Sequence, residues 1–153
     1  MRQLGLRPHP EGGFFRETYR SPVRLGTAAG ERSLMTAILF LVVSDRPSRL
    51  HRLRSDEVWI HQAGDALELA LLDEHRAAGV RLVLGSPSDG LLPQATVPAG
   101  TWQGARLLSE VGWSLVSCIV SPGFEYADFE MADPERLLAG FPQAADIIRD
   151  YTR

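Results

Sequence analysis

The 153-residue chain contains no lysine; all 16 of its basic residues are arginine. That absence excludes Schiff-base chemistry on a lysine side chain, and with it the usual covalent attachment of pyridoxal phosphate. Cysteine is scarce as well. Cys118 stands alone and has no partner for an internal disulfide. No long hydrophobic run is present either: AILFLVV, residues 37–43, is far below the roughly 20 residues that span a bilayer, so it reads as a buried strand. The amino-terminal MRQLGLRPHPEGG lacks the apolar centre of a signal peptide, and the expected location is the cytoplasm, with no membrane partner. Charge of one sign is not concentrated. The net charge is −3 and the arginines are scattered, which excludes the basic stripe of a nucleic-acid binder.

What is present fits one globular domain over residues 1–153, since 44% hydrophobic residues at this length supply a sizeable core. Short runs rich in Val, Ile, Leu and aromatics recur between Gly, Pro, Ser and Asp, the pattern of an all-β sandwich or barrel. Strands are expected near 13–20, 34–44, 48–54, 57–62, 66–73, 79–84, 94–97, 103–108, 112–120 and 125–131. Helix is confined to the end. In DPERLLAGFPQAADIIRDY, Asp133 is placed to cap a helix that starts at Pro134, and a second short helix follows Pro142. Both are expected outside the sheets.

The stretch LHRLRSDEVWIHQAGDALEL, residues 50–69, carries the most chemistry. Two strands meet there at a Ser55-Asp56 turn. Side chains alternate across a strand, so Glu57, Trp59 and His61 share one face while His51 and Leu53 share a face of the preceding strand. Trp59 and Leu53 mark these faces as buried, and buried ionisable groups need partners.

The residues resemble the cupin motifs. His51, Glu57 and Gly64 follow the first motif, with Leu53 in place of its second histidine; Pro98, Gly100 and Gln103 follow the second, with glutamine in place of its last histidine. More specifically, HPEGGFFRETYRS, HRLRSDEVWIHQAGD, VPAGTWQGA and SPGFEYADFE resemble successive signatures of the Cupin_5 (DUF985) group, from Leu4 to about Met131. The resemblance implies a double-stranded β-helix, or jelly roll, that is often dimeric, in the wider RmlC-like class that includes dTDP-sugar epimerases.

Three functions stay open. One is a metal-free epimerase or isomerase acting on a sugar nucleotide or similar polar metabolite, with His51 as base, Glu57 as its orienter and a tyrosine as acid, Tyr126 or Tyr19. No cofactor is expected in that case. A second is a metal-dependent oxygenase or isomerase holding a divalent transition metal on His51, Glu57 and Gln103. Catalytic zinc sites keep three protein ligands, and an amide oxygen is a weak one. The third is a non-catalytic binding module. Ligand contacts are expected from Glu17, Tyr19, Trp59, His61, Trp102 and Gln103. Against all three stands a buried polar network that merely fixes the barrel. Glu11 with Gly12-Gly13 reads as turn chemistry, His9 and His75 as loop residues, and Cys118 as a small buried hydrophobe.

Overall fold

The computed structural model describes residues 2–152. In chain order the strands are β1 (Arg7–Pro8), β2 (Phe14–Arg20), β3 (Arg24–Thr27), β4 (Gly30–Ser33), β5 (Thr36–Val43), β6 (Ser48–Leu53), β7 (Asp56–Gly64), β8 (Leu67–Asp73), β9 (Arg76–Leu84), β10 (Gln94–Val97), β11 (Trp102–Leu107), β12 (Trp113–Ser121) and β13 (Phe129–Met131). Helices α1 (Pro134–Gly140) and α2 (Ala145–Tyr151) follow. One sheet has the order β1-β2-β5-β12-β7-β10 and the other β13-β6-β11-β8-β9, with every pairing within them antiparallel. The two close on each other as the expected double-stranded β-helix.

Period-2 alternation divides the side chains between two apolar clusters. In β8, Leu67, Leu69 and Leu71 face the interior with Phe40, Trp59 and Val116, while Ala70 and Leu72 face outward under the terminal helices with Leu50, Ile148 and Tyr151. Each large aliphatic side chain so buried contributes about 1.5–3 kcal/mol. Asp133 caps α1 through hydrogen bonds from the Glu135 and Arg136 amides, as its sequence position predicts. The Tyr151 hydroxyl fastens α2 to the sheet by donating to Glu68 Oε1 at 2.7 Å.

Two strand expectations needed correction. The hairpin β3–β4 was not foreseen, because RLGTAAGERS has no hydrophobic alternation; it is held instead by Arg32, whose Nη2 donates to Asp128 Oδ1 at 2.9 Å. The strand expected over 125–131 begins instead as a 3-10 turn at Tyr126–Asp128, and only Phe129–Met131 pairs with β6.

Candidate functional site

A cavity of about 280 Å³ opens between the sheets. Phe40, His51, Leu53, Glu57 and Cys118 line its buried part, and Arg7, Glu17, Arg20, Glu125 and Tyr126 belong to its exposed rim.

His51 and Leu53 reach this cavity by alternation along β6, which departs from regular pairing just before His51. Gln103 pairs with His51 and Ala105 with Ser48, so Arg49 and Leu50 together oppose Gly104. Arg49 then turns its main chain to other partners: its amide donates to the Glu11 carbonyl, and its own carbonyl accepts from His51 Nδ1 at 2.8 Å. A carbonyl can only accept, so Nδ1 carries the proton and Nε2 is the nitrogen free to exchange one. Nε2 lies 3.3 Å from Glu11 Oε2.

Glu11 was read as part of a simple turn; it is buried in the cavity. Gly12 and Gly13 both have positive φ, and a Cβ on Gly12 would lie 1.9 Å from the Pro47 carbonyl oxygen, so only glycine lets the chain fold back and carry Glu11 inward. Oε1 accepts from Ser48 Oγ at 2.7 Å, and Oε2 lies 3.2 Å from His9 Nδ1. Burial pushes this carboxyl up, but the adjacent His51 and His9, with the Ser48 hydroxyl, outweigh it and leave it below its ordinary value. His9 is likewise more than a loop residue. Its ring lies edge-on to Phe15 at 4.6 Å and stacks with Tyr126 at 6.4 Å.

Glu57 lines the cavity but does not orient His51, the role foreseen for it. Its Oε2 accepts from Gln103 Nε2, whose own Oε1 accepts from Trp59 Nε1 at 2.9 Å, and the Cys118 thiol is a further neighbour. Burial holds the Glu57 carboxyl above its ordinary value; His51 opposes this and the charge of Glu11 reinforces it. Burial also raises the Cys118 thiol.

Of the other foreseen contacts, Glu17 and Tyr126 line the cavity, while Tyr19, Trp59, His61, Trp102 and Gln103 do not. Tyr19 was expected beside Glu17, but Thr18 is an extra residue in the β2–β5 pairing, and Tyr19 is 48% exposed. Trp59 and Gln103 are core groups behind Glu57. His61, two residues beyond Trp59, bonds the Asp65 carbonyl at 3.2 Å. Trp102 is on the outer face of β11 under the helices, with the Arg52 guanidinium 4.6 Å from its ring. At the rim, Arg20 ties β2 to the segment bearing Tyr126, donating to Glu17, to Glu125 at 2.8 Å and to the Phe124 carbonyl at 3.1 Å.

Residues 1–132 match the family described as Cupin superfamily (DUF985). The chain belongs to that family. This cupin is similar to a hypothetical protein from Leishmania major, at 39% identity over 99% of this chain and 95% of that one, with a TM-score of 0.90. It is similar to protein SO0799 of Shewanella oneidensis, at 36% identity over 99% and 94% of the two chains, with a TM-score of 0.87. An uncharacterised protein of Saccharomyces cerevisiae is 26% identical over 91% of this chain and 78% of its own.

The expected metal set of His51, Glu57 and Gln103 does not supply the three good protein ligands that a catalytic metal takes. Gln103 spends its amide oxygen on Trp59, Leu53 offers only hydrocarbon, and His51 Nε2 faces Glu11. The foreseen set of His51, Glu57 and Gln103 thus reduces to one imidazole and one carboxyl.

Proposed function

We propose that the cavity binds a small polar metabolite, such as the sugar portion of a sugar nucleotide, and interconverts it by metal-independent proton transfer, as an epimerase or isomerase. The observation that carries this reading is the His51–Glu11 pair at the cavity wall. With Nδ1 committed to the Arg49 carbonyl, Nε2 is the atom that takes a proton from substrate carbon, and the Glu11 carboxylate balances the imidazolium that forms. The 3.3 Å contact is longer than a charge-assisted hydrogen bond of about 2.7–2.9 Å, which leaves Nε2 room to reach a substrate atom. Tyr126 supplies the acid, and the aromatic walls keep water from the reacting atoms.

The test is a thermal-shift screen of metabolites, followed by incubation of each hit in deuterated water. Wild type should exchange a carbon-bound hydrogen of a stabilising ligand, and His51→Gln should not. A ligand that binds wild type tightly without exchange, and binds His51→Gln equally well, overturns the catalytic reading.

We further propose that the protein works in the cytoplasm as a homodimer, because an open antiparallel sheet leaves edge strands to be covered. Light scattering at micromolar concentration should give about twice the monomer mass.

A further inference from the structure

Glu57 sits at the end of a hydrogen-bond chain that runs in one direction only. Indole N–H is a donor and never an acceptor, so the oxygen of the Gln103 amide is the atom facing Trp59 Nε1. The amide nitrogen therefore faces Glu57, and Oε2 of Glu57 is committed as an acceptor. A proton on this carboxyl resides on Oε1.

The surroundings favour that proton. Glu57 is 5% exposed, and among the described residues no cation hydrogen-bonds to it. The two histidines of the cavity are instead paired with Glu11, His9 at 3.2 Å and His51 at 3.3 Å. The groups facing Glu57 are Gln103, the Cys118 thiol, the His51 imidazole and the Glu11 carboxyl. A second ionised carboxylate in the same small space would be opposed by Glu11 and by burial alike. The arginines that line the cavity, Arg7 and Arg20, stand at its exposed rim, and the chain has no lysine to place deeper.

We propose that Glu57 acts as a neutral carboxylic acid whose O–H binds a carbonyl oxygen of the ligand, so that the site takes small compounds in which an acidic C–H adjoins a carbonyl group. This rests on the proton-transfer reading and names its substrate class. His51 Nε2 takes the proton from carbon, the C–H electron pair becomes the new C=C bond, and the carbonyl π pair moves onto oxygen. Glu57 donates a hydrogen bond to that enolate oxygen without giving up its proton. Return of a proton to carbon from Tyr126 inverts the centre; His51 then releases its proton to water and the Tyr126 phenolate regains one. No oxidant or reductant is needed. A preorganised donor of this kind in a water-poor site is worth on the order of 10²–10³ in rate.

Two measurements test the assignment. In infrared difference spectra of wild type against Glu57→Gln at neutral pH, the band lost should be the carbonyl stretch of a neutral carboxylic acid; loss of carboxylate bands overturns the proposal. In the second, 4-nitrophenolate serves as an enolate-like probe followed by its absorbance. Wild type should bind it, Glu57→Gln should stay within about threefold because its amide still donates, and Glu57→Ala should lose roughly tenfold or more. No binding by wild type, or equal affinity in a folded Glu57→Ala, overturns the proposal. Its failure is separable from failure of the proton-transfer reading. An ionised Glu57 alongside His51-dependent deuterium exchange removes this inference alone. A neutral Glu57 that binds phenolate, with no exchange in any ligand, removes the catalysis and keeps the acid.

Discussion

Oε2 of Glu11 lies within 3.3 Å of His51 Nε2 and within 3.2 Å of His9 Nδ1, so a single carboxylate oxygen serves both imidazoles that line the cavity. Replacing this carboxylate by an amide weakens the hydrogen bond it accepts from Ser48 Oγ, and a hydrogen bond to a charged group is worth about 1.5–3 kcal/mol. Glu11→Gln should therefore lower stability by an amount of that order in urea denaturation.

The pH dependence of this group has a definite sign. A carboxyl held below its ordinary 4.5 binds fewer protons in the folded than in the unfolded state, so its stabilisation is present above pH 4.5 and is lost as pH falls further. Denaturation midpoints measured through the acid range should show this limb in wild type, and Glu11→Gln should lack its share of it.

Glu57 has the opposite sign. Its carboxyl is held above 4.5 by burial, so the folded state keeps a proton that the unfolded state releases, and stability falls as pH rises from 4.5 toward the raised value. Glu57→Gln cannot ionise and retains both hydrogen-bonding types. Its stability should be flatter than wild type across that window and at least equal to it at neutral pH, as thermal melts in a buffer series would show.

Residues 50–69 placed His51, Leu53 and Glu57 at the site but also put Trp59 and His61 there, which do not line the cavity, and the other misplacements turn on contacts made elsewhere in the chain. His51, Leu53 and Glu57 were placed correctly on inward faces because alternation within a strand is a local property. Glu11 was missed because nothing near HPEGG indicates that a Gly-Gly turn delivers a carboxylate to a distant strand. Trp102, expected as a ligand contact, packs instead under the helices, because β8 and β11 are buried on both sides and an apolar residue there does not reveal which way is in. Tyr19 was displaced by the extra residue Thr18, and such a register shift depends on the partner strand rather than on the local sequence.

Arg49 tests whether the Glu11 turn is held from outside. Its Nη2 donates to the Pro10 carbonyl at 2.8 Å and its Nε to the Glu11 carbonyl at 3.2 Å. Arg49→Ala removes both bonds and leaves the main-chain bond to Glu11 in place. Hydrogen exchange at the Gly12 amide should quicken, while amides in the β5–β12 pairing keep their protection.

The incomplete metal site can be completed on purpose. Leu53→His combined with Gln103→His would add one imidazole at the cavity wall and one directly behind Glu57, giving with His51 and Glu57 a donor set that suits Zn²⁺ or Ni²⁺. Calorimetric titration should show much tighter Zn²⁺ binding in the double variant than in wild type, with each single variant gaining less. Metal-free, the double variant should melt lower because two imidazoles are buried and Trp59 loses its acceptor.

The cavity is walled by both ends of the strand order. His9 and Glu11 come from the first turn of the chain and Tyr126 from the segment before its last strand, latched there by Arg20. The walls therefore depend on contacts between residues far apart in sequence, the kind whose loop-closure entropy slows folding. A metabolite bound as proposed would stabilise the folded chain over the unfolded one, and that stabilisation would depend on the contacts by which Arg20 holds the Phe124–Tyr126 segment against β2.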